Sequence, residues 1–283
     1  EWRHALGIYT STGITVLGLT LENSGGDGIY VGPVDEEVKT SSQDVLVRDC
    51  VCRSNHRQGM SVVSGRRVRI ENCEFRNTKG TAPQAGLDLE PGGPKQSLTD
   101  IEVINCRSED NEGSPYVVNV MRLDAESEPV GVRFWNCLGR GSKHPGIRVM
   151  VHESRVPRGK IEFISCTIER TEYSGLYCAW NPGGDLKVRF DGCRWNGVAR
   201  KRTEPPMEIN LVGAKSGPGL MVFDDCLVFD DRDREGIKIY GLTSELPSYG
   251  ISGELVVVNK SSTKRKTDST PEKTQLRLRY QGE

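Results

Sequence analysis

Gly86-Leu87-Asp88-Leu89-Glu90, followed by Ile101-Glu102-Val103-Ile104-Asn105-Cys106, holds one complete unit of the pattern that decides the fold. The first half alternates apolar and polar residues after a glycine. The second half reads apolar-x-apolar-x-x-Cys. Alternation with a period of two marks each half as a strand with one buried face. The first template recurs at Ala5 to Ile8, Gly28 to Val31, Gly59 to Val62, Pro115 to Val118, Gly146 to Val149, Gly175 to Cys178, Pro206 to Ile209 and Gly236 to Ile239. From Ile29 onward its first apolar positions are 29, 60, 87, 116, 147, 176, 207 and 237, spaced by 31, 27, 29, 31, 29, 31 and 30. The second template recurs with Cys50, Cys73, Cys137, Cys166, Cys193 and Cys226, and Ile14, Val16 and Leu19 form its cysteine-free first member.

A period of about 30 residues with two or three strands is too short for a propeller blade, and no leucine-asparagine frame of a leucine-rich repeat is present. A parallel β-helix remains: an all-β solenoid of about eight to nine coils, each strand pairing with the coil above and below at about 4.8 Å. In that arrangement the cysteine column and Phe134, Phe163, Phe190 and Phe223 point inward. Seven of the nine cysteines fall in this column. They are expected to be small hydrophobes in the core, with parallel side chains poorly placed for disulfides.

The repeat implies one long domain over residues 1–259. Its incomplete first coil suggests a removed or separate N-terminal cap, because a solenoid core needs covering. Residues 260–283 are expected to form a mobile loop rich in Ser, Thr, Lys and Pro, then a short closing strand at Leu276 to Tyr280. The formal net charge of -1 over 283 residues argues against a dedicated nucleic-acid binder. No apolar run reaches the roughly 20 residues of a membrane span. No Cys-x-x-Cys knuckle or serine-histidine-aspartate elbow appears, and the Gly- and Pro-rich segments read as turns between coils.

The strings Gly25-Gly-Asp-Gly-Ile-Tyr-Val31, Asn55-His-Arg-Gln-Gly-Met-Ser-Val62 and Gly86-Leu-Asp-Leu-Glu-Pro91, set in such coils, resemble the right-handed β-helix repeat proteins of the pectate lyase superfamily. The resemblance runs to about Asn259. It implies carbohydrate chemistry, with substrate lying along an outer sheet across several coils, and an extracellular or periplasmic location goes with that chemistry. Relatives include polysaccharide lyases, polygalacturonase-type hydrolases, uronan epimerases and phage tailspikes. The Asp-Pro-His-Asp string of alginate epimerases is absent, and no catalytic set carries over intact.

The residues themselves therefore have to suggest the reaction. On the first template the outward positions form two columns. One reads Gly7, Tyr30, Ser61, Asp88, Val117, Arg148, Tyr177, Glu208, Lys238, and the other Tyr9, Gly32, Val63, Glu90, Asn119, Met150, Ala179, Asn210, Tyr240. Asp88 and Glu90 stand at i and i+2 on one strand face, their side chains starting about 6 to 7 Å apart, a spacing suited to the acid and base of an inverting glycosidase. A solvated strand face is the plainer alternative. Asp27, in Gly25-Gly-Asp-Gly28, and His56 enter neighbouring coils at turns and complete the candidate catalytic set, His56 as a proton carrier. Each is also ordinary turn chemistry. Arg57, Gln58, Tyr30, Asn119, Arg122, Arg148 and Tyr177 are the candidate substrate-binding residues, arginines for carboxylate or sulfate groups and tyrosines for sugar rings. Trp180 is equally open to stacking or to burial, and Glu208 and Lys238 read as a solvated charged end.

The leading expectation is a glycoside hydrolase, with no cofactor. A uronan lyase is the alternative, with Ca2+ held by Asp88 and Glu90 and Arg148 or His152 as base. A noncatalytic glycan-binding or spike-like module is the third reading. The expected partner is a polysaccharide or oligosaccharide, and the expected state is a monomer or a homotrimer.

Overall fold

The computed structural model describes residues 2–35, 39–201, 205–213, 215, 217–232, 234–241, 246–259 and 270–282. Every regular element among them is a β-strand, and every strand pairing is parallel. The first ladder stacks nine strands: Leu6–Tyr9, Ile29–Gly32, Met60–Val62, Leu87–Leu89, Tyr116–Asn119, Ile147–Met150, Leu176–Trp180, Met207–Leu211 and Ile237–Gly241. The second begins with Thr12–Leu17, Ser42–Arg48 and Gly65–Glu71 and continues to Ile251–Asn259 and Gln275–Gln281. Short strands from Thr20–Glu22 to Arg194–Asn196 make the third, which continues on the later parts of Leu220–Asp230, Ile251–Asn259 and Gln275–Gln281. Each coil thus has three sides. The expected solenoid is what the chain forms.

The register matches the sequence columns rung for rung. Tyr30 pairs with Ser61, Ser61 with Asp88, Asp88 with Val117 and Val117 with Arg148. Inside, Phe134, Phe163, Phe190 and Phe223 stack with centroids 4.7, 5.3 and 5.0 Å apart and planes within 12°. All nine cysteines are buried and free. Each column thiol donates to a carbonyl of the preceding coil, as Cys137 does to Val103 O at 3.4 Å.

The second and third ladders meet at a one-residue bend with positive φ: Asp49, Asn72, Asn105, Asn136, Ser165, Gly192 and Asp225, each immediately before a column cysteine. Asn and Asp tolerate this left-handed conformation best among residues with a side chain. Three of the amide side chains also bond from coil to coil: Asn72 to Asp49 at 3.1 Å, Asn105 to Asn72 at 3.3 Å and Asn136 to Asn105 at 2.9 Å.

Two expectations change and one open reading closes. Leu19 keeps register with Cys50 yet is about half exposed, because among the described residues no coil lies on the outer side of the first one. Glu208 is buried, accepting a bond from the Tyr240 hydroxyl at 3.4 Å, so it is not a solvated end of the face. Trp180 is an interior residue whose indole N–H donates to Tyr249 O at 2.9 Å. Most of the expected loop, residues 260–269, lies outside the described residues. Gln275–Gln281 forms a last rung on Ile251–Asn259.

Candidate functional site

The outward face of the first ladder is less open than its polarity suggests. Ser61 and Asp88 occupy outward positions of the ladder and Asp27 the turn leading into it, yet all three are buried. What covers them comes from turns. The turn before Ile29–Gly32 delivers Asp27, and the equivalent turn of the next coil delivers Arg57 and Gln58.

Two side chains donate to the Asp27 carboxyl, and a third lies beside it. Ser61 Oγ donates to its Oδ2 at 2.7 Å, Arg57 Nη1 lies 3.4 Å from Oδ1, and His4 Nδ1 stands 3.4 Å from Oδ2. His4 Nδ1 also accepts the Asp27 backbone N–H at 3.0 Å, which fixes that nitrogen as unprotonated. Burial raises the Asp27 carboxyl above the usual range, although Ser61, Arg57 and His4 pull the other way. Burial likewise lowers His4. Arg57 is clamped from its far side by the Trp2 ring, 4.8 Å from the guanidinium carbon.

Asp88, 1 % exposed, is the deepest carboxyl of the outward column. Gln58 Nε2 donates to its Oδ2 at 2.5 Å, while Gln58 Oε1 accepts the Ala85 N–H at 3.1 Å, so the amide is aimed by the backbone. Among the described residues no donor reaches Asp88 Oδ1. Burial, then the neighbouring Glu90 charge, raise the Asp88 carboxyl to about 8, against the Gln58 hydrogen bond and Arg57. Asp88 therefore keeps a proton at neutral pH. Glu90 is half-buried and continues the strand, its N–H on Val62 O at 3.1 Å; Asn119 Nδ2 donates to its Oε1 at 2.7 Å. Both carboxyls stand on one strand face, as the i, i+2 spacing suggests.

The structure thus brings together Asp27, Arg57, Gln58, Asp88, Glu90 and Asn119, with Tyr30 beside them. Tyr30 is buried under His4, whose ring stacks on it at 4.7 Å. The other candidates lie apart. His56 is exposed on its turn, its Nε2 3.1 Å from Thr81 Oγ1, and it bonds to neither aspartate. Arg122 is exposed and donates to Gly92 O at 3.0 Å. Arg148 is two rungs beyond Asp88, next to the Met150 sulfur at 3.9 Å, and Tyr177 one rung further takes a 3.5 Å bond from Asn210. His152 accepts the Ser154 N–H at 3.1 Å.

Two members of the cluster are absent from the sequence-based set. Ser61 was legible, since it sits between Tyr30 and Asp88 in the column. His4 precedes the first strand and carries no pattern. The chain holds an Asp-Asp-Cys string at Asp224-Asp225-Cys226, but it sits on the far bend, Asp224 paired with Arg189 at 2.9 Å and Asp225 with Arg194 at 3.3 Å. Beside the first ladder, the turns leading to the second enclose a cationic cavity of about 420 Å³ lined by Lys39, Arg66, Arg67 and Lys95, with Glu128 bridging Lys39 and Arg66.

A sheet-stacked solenoid with a buried polar cluster on one outer face defines the class, and the comparison with known families agrees. The family described as right handed beta helix region matches residues 4–197, and the chain belongs to that family. It is also similar to "Uncharacterized protein YclG" of Bacillus subtilis (strain 168), 28% identical over 100 residues. That match takes in 33% of this chain and spans 17% of the length of that protein.

Proposed function

We propose that the protein is a polysaccharide-active enzyme, acting outside the cytoplasm, that hydrolyses a glycan laid along the outer face of the first ladder. The observation that carries this reading is the buried, proton-holding carboxyl of Asp88 beside the half-buried Glu90 on a single strand face. Glycosidic cleavage needs one group to protonate the leaving oxygen and another to take a proton from water. The pair supplies both: the proton on Asp88 goes to the departing oxygen while Glu90, the member with access to solvent, receives one from the attacking water. Gln58 and Asn119 hold the two carboxyls in place. Asp27 holds Arg57 beside them as a cation for substrate oxygens.

The test is an assay of Asp88→Asn and Glu90→Gln on a panel of polysaccharides. Each is expected to lose at least ~100-fold in rate, the usual scale for removing a proton-transfer group. Full activity in both variants overturns the assignment. Binding without turnover by the unmodified chain would make it a glycan-binding module.

The cationic cavity favours a second reading, lysis of a uronan whose carboxylates it neutralises. Elimination leaves unsaturated sugar ends that absorb in the ultraviolet, and hydrolysis does not. Among the described residues no group of three or more His, Cys, Asp or Glu is arranged to hold a metal, so no step is assigned to calcium.

A further inference from the structure

Two tyrosines near the start of the solenoid lie flat on the sheet. Gly7 is the rung partner of Tyr30, and Tyr9 is the rung partner of Gly32, so glycine and tyrosine alternate in both directions across the face. A Cβ at Gly7 would stand 2.2 Å from the Tyr9 ring, and one at Gly32 would stand 2.7 Å from the Tyr30 ring. Each ring therefore folds along its own strand into the space that the glycine two residues away leaves empty. Any side chain there would force the ring off the sheet. The two rings brace each other, with centroids 5.3 Å apart.

Their outer faces differ. His4 stacks on Tyr30, which is only 8 % exposed, whereas Tyr9 is 43 % exposed. A tyrosine laid flat on a strand, its inner face against backbone and its outer face open, is a preformed aromatic platform. Little conformational freedom remains to be lost when something stacks on it.

We infer that Tyr9 is a remote sugar subsite: it takes the C–H face of a pyranose ring in the same glycan chain that reaches Asp88 and Glu90. This rests on the glycan reading of that pair. The register runs from Gly7 through Tyr30 and Ser61 to Asp88, three rungs of about 4.8 Å, or roughly 14 Å. A chain running along the face spans that distance with about three sugar units. The ligand class is thus an oligosaccharide of at least four or five contiguous pyranoses, with an unsubstituted apolar face at the residue over Tyr9.

The experiment is binding to a printed array of bacterial, plant and algal oligosaccharides graded from two to eight residues, using the full chain and its Tyr9→Ala, Tyr9→Phe and Gly7→Ala variants. For the glycan bound best, affinity of the unmodified chain is expected to step up between three and five residues. Tyr9→Ala should remove that step, a loss of roughly five- to tenfold confined to the longer ligands. Tyr9→Phe should keep it. Gly7→Ala, which displaces the ring while leaving its chemistry intact, should lose it like Tyr9→Ala. An unchanged length dependence in Tyr9→Ala overturns the subsite and leaves the glycan reading standing. Failure of the unmodified chain to bind any array member overturns both. Thermal melts show whether each variant is folded, and Tyr9→Ala removes a half-exposed ring, so its melt should stay close to that of the unmodified chain.

Discussion

A buried carboxyl is tolerated more easily with its proton than without it, and Asp88 is placed where that preference has consequences. Its raised value, about 8, lies above the ordinary unfolded value near 4. Between those two pH values the folded chain binds more protons than the unfolded one, so this group's contribution is complete below the lower value and is lost as pH rises through the upper. Asp27, raised by burial as well, acts in the same direction. Thermal melts from pH 4 to pH 9 should therefore show a midpoint falling by roughly 5 °C or more. Asp88→Asn should flatten that slope and be more stable than the unmodified chain at pH 9. A midpoint independent of pH in the unmodified chain would contradict the protonated state. Hydrolysis should decline over the same upper range as Asp88 loses its proton. At this scale the sequence indicated which carboxyls share a strand face, but not that one of them would be buried.

At the scale of the strand and its turn, the coil is set by a left-handed residue next to an inward cysteine. The column of Asp49, Asn72, Asn105, Asn136, Ser165, Gly192 and Asp225 is the counterpart of the cysteine column, displaced by one residue. Replacing Asn105 by Val puts a β-branched residue at φ 53° and breaks the amide links to Asn72 and Asn136. The expected cost is about 2 kcal/mol, read by denaturant unfolding. Phe163 lies between two stacked phenylalanines in the core, so Phe163→Ala should cost about 3–5 kcal/mol. The cysteine spacing identified these strands directly, because a thiol at a fixed offset from every apolar run has to fall in one inward column of the stack. That coil length varies only in the turns was legible from the spacing, and residues 90–97 stand against the two-residue turn 63–64. How the longer turns pack over the face was not legible, because it depends on side chains that meet across coils.

For the whole molecule, a solenoid's stability is close to a sum over neighbouring coils, and an end coil has one neighbour instead of two. Among the described residues the first coil shows the effect in its half-exposed Leu19, whereas Cys50, Cys73, Cys106 and Cys137 in the same column are buried. Amide exchange should therefore be fastest over residues 6–21 and slowest over residues 60–170. Uniform protection along the chain would contradict a nearest-neighbour solenoid. Sedimentation separates the monomer from a spike-like trimer. The repeat in the sequence determined the parallel stacking, the rung partners and the inward or outward direction of nearly every strand residue, because a period of two and a coil of about 30 residues leave no other register. Only the tertiary structure decided which outward residues meet water. A register fixes where a Cβ points, but burial depends on what lies above it: here His4, Arg57 and Gln58, brought from turns and neighbouring coils, enclose Asp27 and Asp88.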